Sequence, residues 1–156
     1  MSRKTKTIYQ RIISMEIKDN NSICAITEQL NGVYEPYYKR FEEIRQLEAG
    51  WAGEGSEPID SVIVDNATKF FRLLVDNNIR LCPATNIAPC GFGTILFEFY
   101  KDYESDKDTN FISVEIGKTM IGWFTDWEHG INTESNGHKT DFTTIPERLL
   151  NELKQL

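Results

Sequence analysis

The apolar residues of this chain change period partway along, and that change limits the fold more than any other feature. Tyr37, Phe41, Ile44 and Leu47 recur at spacings of four, three and three, with Lys39, Arg40, Glu42, Glu43 and Arg45 on the other side, the pattern of an amphipathic helix. Ile63, Ala67, Phe70, Phe71 and Leu74 repeat it. Beyond Gly91-Phe92-Gly93 the period falls to two. Ile95, Phe97 and Phe99 alternate with Leu96, Glu98 and Tyr100, and the same alternation returns at Ile112, Val114 and Ile116 and at Ile121 and Trp123, which predicts strands. The connections, a charged loop over 102–110 and a short turn at Gly117-Lys118, leave no room for crossover helices, so consecutive strands pair antiparallel. Helices, then strands, then a helix predict an α+β domain: an antiparallel sheet of three to five strands with two or three helices packed on one face.

Punctuation residues set the expected boundaries. Pro36 suits the first turn of the first clear helix, where its missing N–H costs nothing, and Gly50 suits a left-handed stop beyond it. Asp60 or Ser61 can cap the second helix, and Asp76-Asn77-Asn78 ends it. A further short strand is expected around 86–88. Ile131 to Lys139 is polar and turn-rich and reads as a loop, after which Thr144-x-x-Glu147 offers a capping box for a final helix with the stripe Leu149, Leu150, Leu153 and Leu156. Near the start, Ile8, Ile12, Ile13 and Ile17 fit a helix or a strand, with the helix favoured, behind a flexible arm of six residues, and Asp19 to Ser22 and Asn31-Gly32 read as breaks. The 156 residues suit one domain.

Charge narrows the function classes. Seventeen basic against twenty-four acidic residues leave a net charge of −7, which repels nucleic acid and anionic membrane. Only the opening stretch, with Arg3, Lys4, Lys6, Arg11 and Lys18 against Glu16, is locally basic, and five cations are few for phosphate binding against that background. No apolar run approaches the ~20 residues of a membrane span, and no signal-peptide core follows Met1. Cys24, Cys82 and Cys90 lack metal or disulfide spacing and suit reduced thiols in the cytoplasm.

Chemical motifs are sparse. Asp126-Trp127-Glu128-His129, with His138 nearby in sequence, places carboxylates beside an imidazole and allows a metal-dependent hydrolase; Asp126 and Glu128 share a face if the strand continues, but H-E-x-x-H and H-x-D spacings are missing. The same residues equally suit a solvated exit from the sheet. Trp123 and Trp127 fall on one strand face, as an aromatic platform or a core stripe. Glu98 and Glu115 read as an acid/base couple or as the wet side of the sheet. No nucleophile elbow or phosphate-cradling loop is present, and Cys90, beside Gly91-Phe92-Gly93, is the one thiol placed in a turn.

The stretch Leu47-x-x-Gly50-Trp51-x-Gly53-x-Gly55-x-x-Pro58-Ile59, with Asn66-Ala67 on the following helix, resembles a GWDGxGxxPI-like turn in a family of small bacterial proteins without an assigned activity. The resemblance runs from about Phe41 to Ile121 and includes the Gly91-Phe92-Gly93 turn; where the family has an aspartate after the tryptophan this chain has Ala52. It implies a bacterial, cytoplasmic protein, in mobile or host-conflict gene neighbourhoods, and no reaction. The residues alone explain the turn as a corner plugged by Trp51.

These readings favour a non-enzymatic protein-interaction module without cofactor or metal, of the kind an immunity or accessory protein would be. Trp51, Glu54, Trp123, Asp126, Trp127, Glu128 and His129 are the expected partner contacts. The alternatives are the hydrolase built on Asp126, Glu128 and His129, and nucleic-acid binding through the basic arm.

Overall fold

A computed structural model describes the backbone of residues 20–81, 85–101 and 110–156, with side chains from residue 32 onward. The readings made over 1–19, and for Cys82 and most of the 102–110 loop, lie outside the described residues. The chain divides into two compact units, 1–38 and 39–156. In the first, helix α1 (Asn20–Arg45) starts inside the expected break at Asp19–Ser22 and runs through both Asn31-Gly32 and Pro36. Pro36 therefore sits inside the helix rather than at its first turn. The ring gives up one backbone hydrogen bond and crowds the carbonyl four residues back, that of Gly32.

The second unit takes the last residues of α1, from Lys39, and continues through α2 (Ser61–Asp76), β1 (Asn86–Pro89), β2 (Ile95–Tyr100), β3 (Phe111–Ile116), β4 (Met120–Asp126), β5 (Glu134–Lys139) and α3 (Glu147–Leu153). The strands form one antiparallel sheet in the order β1-β2-β3-β4-β5, so the expected α+β architecture is the one observed. Phe97 lies opposite Val114, and Val114 opposite Trp123; this register gathers Ile95, Phe97, Phe99, Ile112, Val114, Ile116, Ile121 and Trp123 on one face, all of them buried. The helices bury that face. Phe70 on α2 meets Phe97 edge-on with centroids 5.2 Å apart, and Phe41 at the end of α1 meets Phe71 at 5.8 Å and Phe97 at 6.1 Å.

Local chemistry explains most of the joints. Asp60 caps α2 by accepting from the Val62 amide at 2.9 Å, and its other carboxylate oxygen stands 2.6 Å from the Lys118 ammonium. These contacts, led by that of Lys118, hold the Asp60 carboxyl below the usual aspartate range. Asn66, buried on α2, donates from Nδ2 to the carbonyls of Gly117 and Lys118 at 3.1 and 2.8 Å, pinning the β3–β4 turn to the helix. The capping box at Thr144 does not form. Pro146 occupies the N-cap of α3 and makes no side-chain cap bond; its extended ψ of 132° starts the helix after Thr144 has been passed.

The segment 134–139, expected as loop, is instead the edge strand β5. Its residues are almost all exposed, so no apolar alternation marked it; its hydrogen bonds to β4, not burial, make it a strand.

Candidate functional site

The glycine-rich turn closes on itself. Gly50 N–H donates to the Ser56 carbonyl at 2.9 Å, Ser56 Oγ accepts from the Ala52 amide and donates to the Gly53 carbonyl, and Trp51 Nε1 donates to the Glu57 carbonyl at 2.9 Å. Gly50, with φ of 86°, takes the left-handed conformation its position calls for. Trp51 is half-buried and Glu54 exposed.

At the far end of β4 the other named residues separate. Trp123 and Trp127 are buried, at 6% and 8% exposure, on the helix side of the sheet. Trp127 Nε1 donates to Glu152 Oε2 on α3 at 2.9 Å, and Gln155 Nε2 donates to the same oxygen. The strand stops at Asp126, so Asp126 and Glu128 do not share a strand face; Trp127 to Gly130 form a turn closed by Gly130 N–H to the Trp127 carbonyl. Asn132 holds this turn, accepting from the Trp127 amide at 2.7 Å, and Asn110 Oδ1 accepts from the Glu128 amide. Glu128 and His129 are exposed and Asp126 half-buried. His138 lies opposite Ile121, five residues along β4 from Asp126, about 16 Å at the rise of a strand. Among the described residues no three of His, Cys, Asp or Glu converge on a metal position.

A cleft of about 610 Å³ opens beside His138, between the start of α2, the β3–β4 turn and the segment leading to α3. Of its charged groups, Lys118 is committed to Asp60 and Asp141 to the amide and hydroxyl of Thr143, while Lys139 has no ion pair among the described residues. Thr143 keeps the Asp141 carboxyl below its ordinary value. Cys90, half-buried, donates its backbone N–H to Thr94 in the β1–β2 turn.

The face of the sheet turned away from the helices has a different character. Its register positions include Leu96, Glu98, Tyr100, Phe111, Ser113, Glu115, Met120, Phe124, Asp126, Glu134 and Lys139, none of them buried. Tyr100, Phe111 and Phe124 run side by side across three adjacent strands, with centroids 5.9 and 6.0 Å apart, and Phe124 and Met120 keep 42% and 43% of their surface exposed. Carboxylates flank this aromatic track. Glu98 is not opposite Glu115 but opposite Ser113, and takes a hydrogen bond from Asn86 Nδ2 at 2.8 Å; Glu115 takes one from Thr94 Oγ1 at 2.6 Å. Among the described residues none of Glu98, Glu115, Asp126 and Glu134 has an ion-pair partner. Sequence alternation signalled this face through the positions between the buried ones; its aromatic continuity depends on strand register, which no spacing within a single strand reveals.

Comparison of the chain with family models, with curated proteins and with solved structures finds no match. Among the described residues no helix is long and apolar enough to cross a membrane.

Proposed function

We propose that this chain is a cytoplasmic protein-interaction module that receives, across the open face of its sheet, a partner segment carrying both apolar and cationic side chains. The observation that carries this reading is the aromatic track Tyr100–Phe111–Phe124 set among carboxylates that have no ion-pair partner among the described residues. Aromatic side chains with large contact area and few rotatable bonds are favourable anchors at interfaces. Carboxylates around them attract Lys or Arg and add selectivity and encounter rate more than raw affinity. The same charge disfavours a phosphate backbone. The contacts thus move from Trp123 and Trp127, which serve the core, to ring faces on the opposite side of the sheet.

Selection from random peptides displayed on phage tests the proposal. The expected outcome is enrichment of segments combining Lys or Arg with aromatic or aliphatic residues, with binding weakened at least tenfold by Phe111→Ser together with Phe124→Ser and weakened by added salt. Selected segments that bind the double variant as well as the parent chain would refute it.

A further inference from the structure

The two edges of the sheet are finished differently. On β1, Arg40 Nε donates to the Ile87 carbonyl at 2.9 Å and Pro89 has no N–H to offer, so this edge is capped. On β5, the described residues supply no such cover.

The ladder between β4 and β5 fixes what that edge presents. The Thr125 amide donates to the Thr133 carbonyl and the Thr140 amide to the Thr119 carbonyl, each at 2.9 Å. Because an antiparallel ladder alternates inward and outward pairs, the neighbours Glu134 and Lys139 turn their backbone N–H and C=O away from β4. Residues five apart on a regular strand would lie on opposite faces. Here the register slips between Ile121 and Trp123, with Ile121 opposite His138 and Trp123 opposite Ser135, so β5 spends one extra residue as a bulge. Glu134 and Lys139 consequently share the open face, opposite Phe124 and Met120. Both are exposed, and neither has an ion pair among the described residues.

We propose that β5 pairs antiparallel with β5 of a second copy of this chain, about a two-fold axis perpendicular to the sheet and passing between Asn136 and Gly137. That axis sets Glu134 opposite the partner's Lys139, and Lys139 opposite the partner's Glu134. Each such pair combines outward backbone groups that can exchange hydrogen bonds with opposite charges on the same face. The odd-numbered register is allowed only because of the bulge; without it the paired side chains would point to opposite faces. The bulges meet at the axis, so the pairing stays symmetric and isologous. The capped β1 edge stops growth at two copies, and the two open faces join into one continuous surface. This proposal stands on the β5 edge alone and does not depend on the nature of the partner segment.

Sedimentation equilibrium of the full chain tests it. A contact this small predicts a weak dimer, with a dissociation constant of about 10–100 µM at low salt, rising as salt screens the pairs. Glu134→Lys and Lys139→Glu, each creating like-charge pairs across the axis, should each raise that constant about tenfold or more, while the double variant restores the opposite-charge pairing and returns it to within about threefold of the parent. Circular dichroism of the variants checks that these exposed positions leave the fold intact. A chain monomeric up to about 1 mM, a dimer indifferent to the single reversals, or a double variant as weak as the singles would overturn the proposal.

Discussion

Replacing two phenylalanines on opposite sides of the sheet measures its asymmetry directly. Phe97 is 0% exposed, and its ring meets Phe70, Phe41 and Phe99 at centroid distances of 5.2, 6.1 and 6.2 Å. Truncating it to Ala removes the transfer free energy of a buried ring, leaves a cavity between α2 and the sheet, and deletes the edge-on contact with Phe70. The expected cost is about 3–5 kcal/mol, a large part of a stability margin of about 5–15 kcal/mol. Phe124 belongs to the opposite face, is 42% exposed and touches Phe111 at 6.0 Å. It can relax into water, and Phe124→Ala should cost about 0.5–1 kcal/mol. Urea unfolding followed by far-ultraviolet circular dichroism gives both numbers; an unchanged slope would show that the unfolded states are comparable. Equal costs for the two substitutions, or a cost under about 1 kcal/mol for Phe97→Ala, would refute an account in which one face is the core and the other the contact surface.

Other substitutions read single joints. Trp127→Phe keeps an aromatic side chain but is smaller than the buried indole and takes one donor from the buried Glu152 carboxylate, leaving that of Gln155, and the two losses together should cost about 1–3 kcal/mol by the same unfolding assay. Asn66→Ala frees the β3–β4 turn from α2, with a similar loss of about 1–3 kcal/mol and faster amide exchange at Gly117 and Lys118. The Asp60 carboxyl is lowered in the folded chain by Lys118 first and the Val62 amide second, so its contribution is fully present above the unfolded value of about 3.9 and is lost as pH falls through the lower folded one. Asp60→Asn should therefore flatten the acid limb of a stability–pH profile, and an unchanged limb would contradict that linkage.

The period change announced the sheet and the helices because burial on one face leaves an alternating or helical imprint. It announced β2, β3 and β4 through Ile95 to Phe99, Ile112 to Ile116 and Ile121 to Trp123, whose inward positions are buried. It missed β5, where Ser135 and His138 occupy the positions opposite Trp123 and Ile121 without apolar side chains. Proline rules misplaced the start of α1, since a long helix can absorb one missing bond at Pro36. The candidate contacts were partly legible. Trp123 and Trp127 stood out by residue type, yet four-residue spacing on one face cannot say which side of the sheet the helices cover. Tyr100, Phe111 and Phe124 stand on three strands and become neighbours only through the register of β2 with β3 and β3 with β4.

Carbene footprinting of the full chain, read residue by residue with and without a saturating phage-selected segment, addresses the open face itself. In the free chain Phe111, Met120 and Phe124 should label while Ile95, Phe97 and Phe99 stay protected, and the segment should protect Phe111 and Phe124. Free-chain labelling of Phe111 and Phe124 as low as that of Phe97, or a bound segment that leaves them unprotected, would contradict the claim that this face receives the partner.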